Sequence, residues 1–119
     1  IPLFAKDRGD PDPLVVMGGI AAAANPAVMS PFVDLFLLGE GEASLPPLLD
    51  LVALRIKEGY TRLSILEEAA QLPGAYIPII HGPQPAPIRY ARVEDMDEFP
   101  PCSAWLTGET EFDPSRSPG

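Results

Sequence analysis

Apolar residues fall along this chain in two kinds of run. Leu14 to Met17 and Leu35 to Leu38 are short, uninterrupted and without alternation, the pattern of strands covered on both faces of a parallel sheet. Around them the spacing turns helical. Asn25 followed by Pro26 reads as a cap and first-turn pair, and Val28, Met29, Phe32 and Val33 then give a one-sided apolar stripe over a short helix. Ala43 to Glu58 carries Leu45, Leu48, Leu49, Val52 and Ile56 at helical intervals, with Gly59 as the stop. A further helix is predicted from a cap at Thr61 to Leu72, with Leu63, Leu66 and Ala70 on its inner face. The order strand, helix, strand, helix, helix predicts an α/β fold on a short parallel sheet.

Beyond Pro73 the pattern changes. "AYIPII" and "IRYARV", separated by "HGPQPAP", predict a β-hairpin whose prolines confine it to edge positions. "EDMDEFPP" reads as an acidic connector, "CSAWLT" as one more extended piece and "GETEFDPSRSPG" as a tail without its own core. More than half of the 16 prolines lie between Gln71 and Pro118, so the second half is expected to be a Pro-rich linker. The division predicted is 1–74 for the α/β part and 75–119 for hairpin and linker. No internal repeat is visible. The opening "IPLFAKDRGDPDPLVVMGG" lacks an initiator methionine and reads as a helix end, a polar loop and a strand, so a piece of a longer α/β protein is expected.

Composition narrows the function classes. At 119 residues and 46% hydrophobic, the chain is one domain with a single core. A formal net charge of -9 makes it a poor holder of DNA or RNA and disfavours an anionic membrane surface. No apolar run approaches the roughly 20 residues of a membrane span and no signal segment opens the chain, so a cytoplasmic location is expected. The one cysteine, Cys102, excludes an internal disulfide and a Cys-only metal cage.

Two glycine turns, each directly after an apolar strand, are the main chemical signal. Gly18, Gly19, Gly39 and Gly41 would lie together at the carboxyl edge of a parallel sheet, where open α/β folds bind ligands. Two explanations stand side by side: tight strand-to-helix turns that need glycine, or a backbone kept bare for a ligand. Glu40 and Glu42 have the same two readings, as carboxylates favoured at a helix N-terminus or as acceptors for ligand amides and hydroxyls. Neither turn matches the dinucleotide or Walker spacing. His81 is expected as a strand-end surface residue with no evident ring partner, and no serine sits in a nucleophile elbow. Cys102 has no flanking group to activate it, and Tyr76, Tyr90 and Trp105 are too scattered for a stacking platform. No self-contained catalytic set and no metal site is present.

The block "LVVMGGIAAAANPAVMSPFVDLFLLGEGEASLPPLLDLV" resembles the cobalamin-binding domain at the N-terminus of many radical S-adenosylmethionine (SAM) enzymes, through Gly18, Gly19, Asn25, Pro26, Asp34, Gly39, Glu40, Gly41 and Glu42. "LPGAYIP", "RYARVEDMDEFP" and "TGETEF" resemble the linker that leads from that domain to the radical barrel. The resemblance implies a partial Rossmann-like, flavodoxin-like half-domain, with cobalamin lying against Gly18, Gly19, Gly39, Glu40, Gly41 and Glu42. A flat macrocycle edged with amides must approach backbone closely, which suits bare glycines. It also implies a [4Fe-4S] cluster and SAM held by a C-x-x-x-C-x-x-C motif in a missing part of the parent, since this chain has one cysteine. The D-x-H-x-x-G loop that supplies a lower axial histidine in some members is absent, and the resemblance gives His81 no such role.

The expected function is therefore part of the cofactor domain and linker of a radical SAM protein, non-catalytic by itself. The alternative is an acidic, non-catalytic α/β module that binds a partner protein. A cysteine triplet just after Gly119 in the full reading frame would favour the first, and a stop codon there would remove it. The expected partners are the remainder of the parent chain and a second copy covering the apolar surface of so short a sheet.

Overall fold

The second strand, β2 (Leu35–Leu37), holds the centre of the fold because all its side chains find a cover. Leu35 and Leu37 point to one face, where they meet Leu48, Leu66, Ala69 and Ile77. Phe36, with Leu38 just beyond the strand, points to the other and meets Ala22, Val33 and Tyr76. That two-sided burial is the physical content of an apolar run without alternation. The computed structural model describes residues 1–83, 90–95 and 98. Expectations for the connector, for "CSAWLT" with Cys102 and Trp105, and for the tail fall wholly or mainly outside those residues.

β1 (Val16–Gly18) pairs with β2 in parallel, Val16 opposite Leu35 and Gly18 opposite Leu37. It lies at the edge, so its apolar run is only partly covered, and Val16 stays 40% exposed. β3 (Ala75–Tyr76) flanks β2 on the other side in the antiparallel sense, giving a mixed three-stranded sheet in the order β1, β2, β3. The fold is thus α/β, as the sequence predicts, but with a third strand of opposite direction. The predicted hairpin between 75–80 and 88–93 is not what forms. Pro78 has no N–H for a ladder but suits the first turn of a helix, and Pro78–His81 is helical, here α5. The later segment instead joins the end of β2, where Ala91 bridges Gly39 in parallel.

Five α-helices and one 3-10 turn, Ala5–Asp7, complete the described fold. Between β1 and β2 run α1 (Ile20–Ala24) and α2 (Pro26–Met29), with Pro26 at the first turn. Asn25 makes no side-chain capping bond, contrary to its predicted role. α3 (Gly41–Lys57) begins two residues before the predicted helix and covers the Leu35/Leu37 face with α4 (Arg62–Ala69). α3 ends as predicted at Gly59, whose φ of 78° suits glycine. There the Gly59 N–H donates to Ile56 and the Tyr60 N–H to Arg55, so two terminal carbonyls are satisfied in one turn. The Arg55 guanidinium lies 4.7 Å over the Tyr60 ring and pairs with Glu58 and, across to α4, Glu68. Thr61 caps α4, its hydroxyl accepting from the Ser64 N–H at 3.3 Å. No helix among the described residues is long and apolar enough to cross a membrane.

Candidate functional site at the carboxyl edge of the parallel strands

The parallel register brings both glycine turns to one edge, since Gly18 ends β1 opposite Leu37 and Gly39 follows β2 by two residues. Their surroundings differ. Gly19, with φ at 90°, precedes α1 as its N-cap residue and has no described atom within 4 Å of where a Cβ would stand. Gly41, the first residue of α3, is equally open. At Gly18 a Cβ would meet the Leu37 carbonyl oxygen at 3.6 Å, an ordinary contact, so this glycine is not required by crowding. Gly39 is the reverse case: its φ is 110° and a Cβ would collide with the Ala91 backbone, whose nitrogen would lie at 2.6 Å. Its bareness serves the chain's own later segment.

Glu40 belongs to that same clasp. Its N–H donates to the Ala91 carbonyl at 3.0 Å, and the Ala91 N–H donates to Leu38 at 3.0 Å. The Glu40 carboxylate accepts a short bond from the Val93 N–H through Oε2. It makes no side-chain cap to α3, so its helix-capping reading does not hold. Its carbonyl instead accepts from the Ser44 hydroxyl at 3.1 Å. Glu42 stands exposed in the first turn of α3, where the helix dipole favours a negative charge. Pro46 and Pro47 follow within the helix and cannot donate to the carbonyls of Glu42 and Ala43. Of the six predicted rim residues, Gly19, Gly41 and Glu42 are open, Gly39 and Glu40 hold residues 91–93, and Gly18 lies beneath neither.

The residues that sequence reasoning missed lie at the opposite edge. Asp34 Oδ2 accepts from Arg8 Nη1 at 2.8 Å and from the Val15 N–H at 2.8 Å, and Arg62 Nη2 lies 2.6 Å from it. The three side chains are 4%, 3% and 9% exposed for Arg8, Asp34 and Arg62. Arg8 also donates to the carbonyls of Pro2, Leu3 and Phe32, and Arg62 to those of Asp12 and Pro13. The cluster ties the start of the chain and the first turn of α4 to the beginning of β2. Asp34 was visible as a motif position, but nothing local in the sequence pairs it with arginines 26 and 28 residues away.

His81 is also more engaged than expected. Its Nδ1 accepts from the Ile77 N–H at 2.9 Å, and its ring stacks on Tyr76 with centroids 6.1 Å apart. Because β3 runs against β2, α5 and His81 lie at the edge away from the glycine rim. Tyr76 donates its hydroxyl to Gly82 at 2.7 Å, and burial pushes its phenol above the ordinary value of 10.0. Among the described residues no group of three His, Cys, Asp or Glu side chains is placed to hold a metal ion.

The two parallel strands end together in glycine turns, with helices on both faces, and the carboxyl edge of such an α/β layer is where open sheets of this class bind ligands. The chain belongs to the family of radical SAM proteins, N-terminal, which matches residues 1–78. No curated protein and no solved structure matches it. Membership implies SAM and an iron–sulfur cluster in the parent protein. The residues described here do not fit the cluster, which needs several thiolates where the whole sequence has one cysteine.

Proposed function

We propose that residues 1–74 contribute part of a cobalamin-binding-like, Rossmann-like half-domain to a radical SAM enzyme, with 75–119 leading toward its radical barrel. The observation that carries this reading is the pair Gly19 and Gly41, which stand at one sheet edge with no described atom within 4 Å of where a Cβ would be. A corrin resting there would meet backbone rather than side chains, and its peripheral amides would find an acceptor in the Glu42 carboxylate and donors in the first-turn N–H groups of α3. When bound, the group would supply its cobalt chemistry to the parent. These residues would position it and exclude water, and Gly39 and Glu40 join the contact only where 91–93 leave them free. His81 follows the antiparallel β3 and so lies at the edge away from this rim.

The test is uptake of hydroxocobalamin by the full-length polypeptide encoded by the gene, read by equilibrium dialysis and the corrin absorbance. Gly41→Trp, which fills open space without touching the core, is expected to abolish uptake with the melting temperature unchanged. The more conservative Gly41→Ala should raise stability by about 0.5–1 kcal/mol while weakening uptake. The 119-residue chain alone should bind weakly, since it holds only part of the pocket. A full-length protein that assembles its iron–sulfur cluster yet takes up no cobalamin would refute the cofactor reading.

The proposed partner is the remainder of the parent chain. Among the described residues no strand pairs with the outer edge of β1, and Val16, Leu45, Leu49 and Ile56 are exposed; both support it, because such an apolar face calls for a cover. In the isolated chain the same face would pair two copies, and a clean monomer by sedimentation at high concentration would count against that pairing.

A further inference from the structure

The buried cluster at the amino edge is one anion short. Arg8 and Arg62 bring two positive charges below the surface, and among the described residues Asp34 is the one carboxylate buried with them. Buried charges are ordinarily paired, so an uncompensated guanidinium marks a place where something else completes the balance. Asp10 is nearby but exposed, and its Oδ1 accepts from the backbone N–H of Arg62 rather than from the guanidinium. The exposed Lys6 adds a further cation to the same wall. The local excess is positive in a chain whose net charge is -9.

These side chains line a cleft of about 580 Å³. That lies within the range of roughly 300–1,000 Å³ typical of small-molecule sites. The cleft sits at the opposite end of the sheet from the glycine rim. Its walls come from the residues before β1, those before β2, and α5, which follows the antiparallel β3. The lining also includes apolar side chains left in water, Leu63 of α4 and Ile79 of α5, at 49% and 66% exposure. Donors remain available. Arg8 uses one N–H of Nη1 on Asp34, leaving the second, and Arg62 Nε has no acceptor among the described residues. Every enclosed side-chain nitrogen and oxygen described has a partner, so that Nε is accessible rather than sealed in.

We propose that this cleft binds a small amphipathic oxyanion, its carboxylate or phosphate head at Arg8 and Arg62 and its apolar body along Leu63 and Ile79. The head supplies the missing negative charge, and guanidinium N–H groups match either oxyanion. The body covers two side chains that otherwise face water.

The probes are octanoate and octyl phosphate as the two head types, octyl glucoside as the neutral counterpart, and acetate and inorganic phosphate as heads alone. Each is titrated into the 119-residue chain below its micelle concentration and followed by amide and arginine Nε–H resonances. At least one of the two octyl anions should bind, shifting the Arg62 Nε–H signal, and the stronger of them identifies the head. The glucoside and the bare heads should each bind about tenfold or more weakly, as loss of a charge-assisted bond or of the apolar contact requires. Arg62→Gln risks the fold, so the decisive variants are Leu63→Glu and Ile79→Glu on the exposed rim, each expected to weaken the anion about tenfold or more while melting normally. Leu54→Glu, exposed on α3, should leave binding unchanged. Failure of both octyl anions to bind, equal binding of the glucoside, or indifference to Leu63→Glu and Ile79→Glu would overturn the proposal.

Discussion

Replacing Asp34 by Asn tests whether the charge cluster at the amino edge holds the fold. The change keeps the shape of the side chain and one acceptor oxygen, but removes the charge that both arginines share. Two guanidinium groups, 4% and 9% exposed, would then face each other across an amide. Breaking a buried ion pair by removing one partner costs about 3–5 kcal/mol, chiefly because a charge is left buried without compensation. A chain of 119 residues has a total stability of roughly 6–18 kcal/mol at typical values per residue. The loss is therefore a large fraction of the whole. At about 2.1 cal/mol/K of unfolding entropy per residue, it lowers the melting temperature by roughly 12–20 °C. Urea unfolding followed by far-UV circular dichroism measures it directly, with an unchanged slope expected. The comparison is Glu68→Gln at the half-exposed pair with Arg55, expected to cost no more than about 1 kcal/mol. Raising the salt concentration should shrink the Glu68 effect and leave most of the Asp34 effect, because buried charges are poorly screened. An Asp34→Asn cost below about 1 kcal/mol, or one that salt removes, would refute the reasoning.

Three further predictions follow from single contacts. Gly39→Ala places a methyl against the Ala91 backbone at a φ of 110° and should cost at least about 1–3 kcal/mol, with the Ala91 and Val93 amide resonances displaced; a near-neutral effect would mean that the clasp is loose. Because burial raises the Tyr76 phenol above 10.0, its neutral form stabilises the fold fully below that pH and the contribution is lost as pH rises through the higher folded value. Urea midpoints from about pH 8 to about pH 11 should therefore fall at the alkaline end for the wild type, and this component of the fall should be absent in Tyr76→Phe. His81→Ala removes the acceptor of the Ile77 N–H, and hydrogen exchange at Ile77 should quicken by roughly fivefold to tenfold, as loss of a bond worth about 1 kcal/mol implies.

Much of the fold was legible because it is written in local periodicity. β2 was readable since four consecutive apolar residues are buried on alternating faces, and α4 since Thr61 both looks like a cap and is one. Gly59 was readable for the same reason, as its positive φ closes α3. Direction and pairing were not legible. Nothing in "AYIP" distinguishes a first hairpin strand from a two-residue strand laid against β2, and the choice falls to Tyr76, whose ring stacks on Phe36 at 5.4 Å inside the core. Asn25 is of a capping residue type, but set between two short helices at φ -154° and ψ 77° its side chain bonds no helix amide, so composition alone misled. The glycine rim was legible as an edge but not in its division of labour. That depends on residues 91–93, some 50 positions downstream, whose sequence carries no sign of where they return. The Arg8, Asp34 and Arg62 cluster was invisible for the same reason, being a meeting of three distant segments.

The two ends of the sheet consequently differ in kind. At the carboxyl edge the chain leaves backbone bare at Gly19 and Gly41, and it closes the neighbouring positions with its own segment at Ala91 and Val93. A flat cofactor would therefore have to enter from the side of α1 and α3, because the β3 side is already occupied. At the amino edge the chain gathers charge instead, and one carboxylate ties Arg8, the Val15 N–H and Arg62 of α4 to the start of β2. Bare backbone suits broad contact with a large rigid group, whereas clustered guanidinium suits a compact anion. A single ligand does not satisfy both requirements across a sheet three residues long. Occupancy of one end is thus expected to leave affinity at the other unchanged, unless the ligand moves β2 itself, the element both ends share.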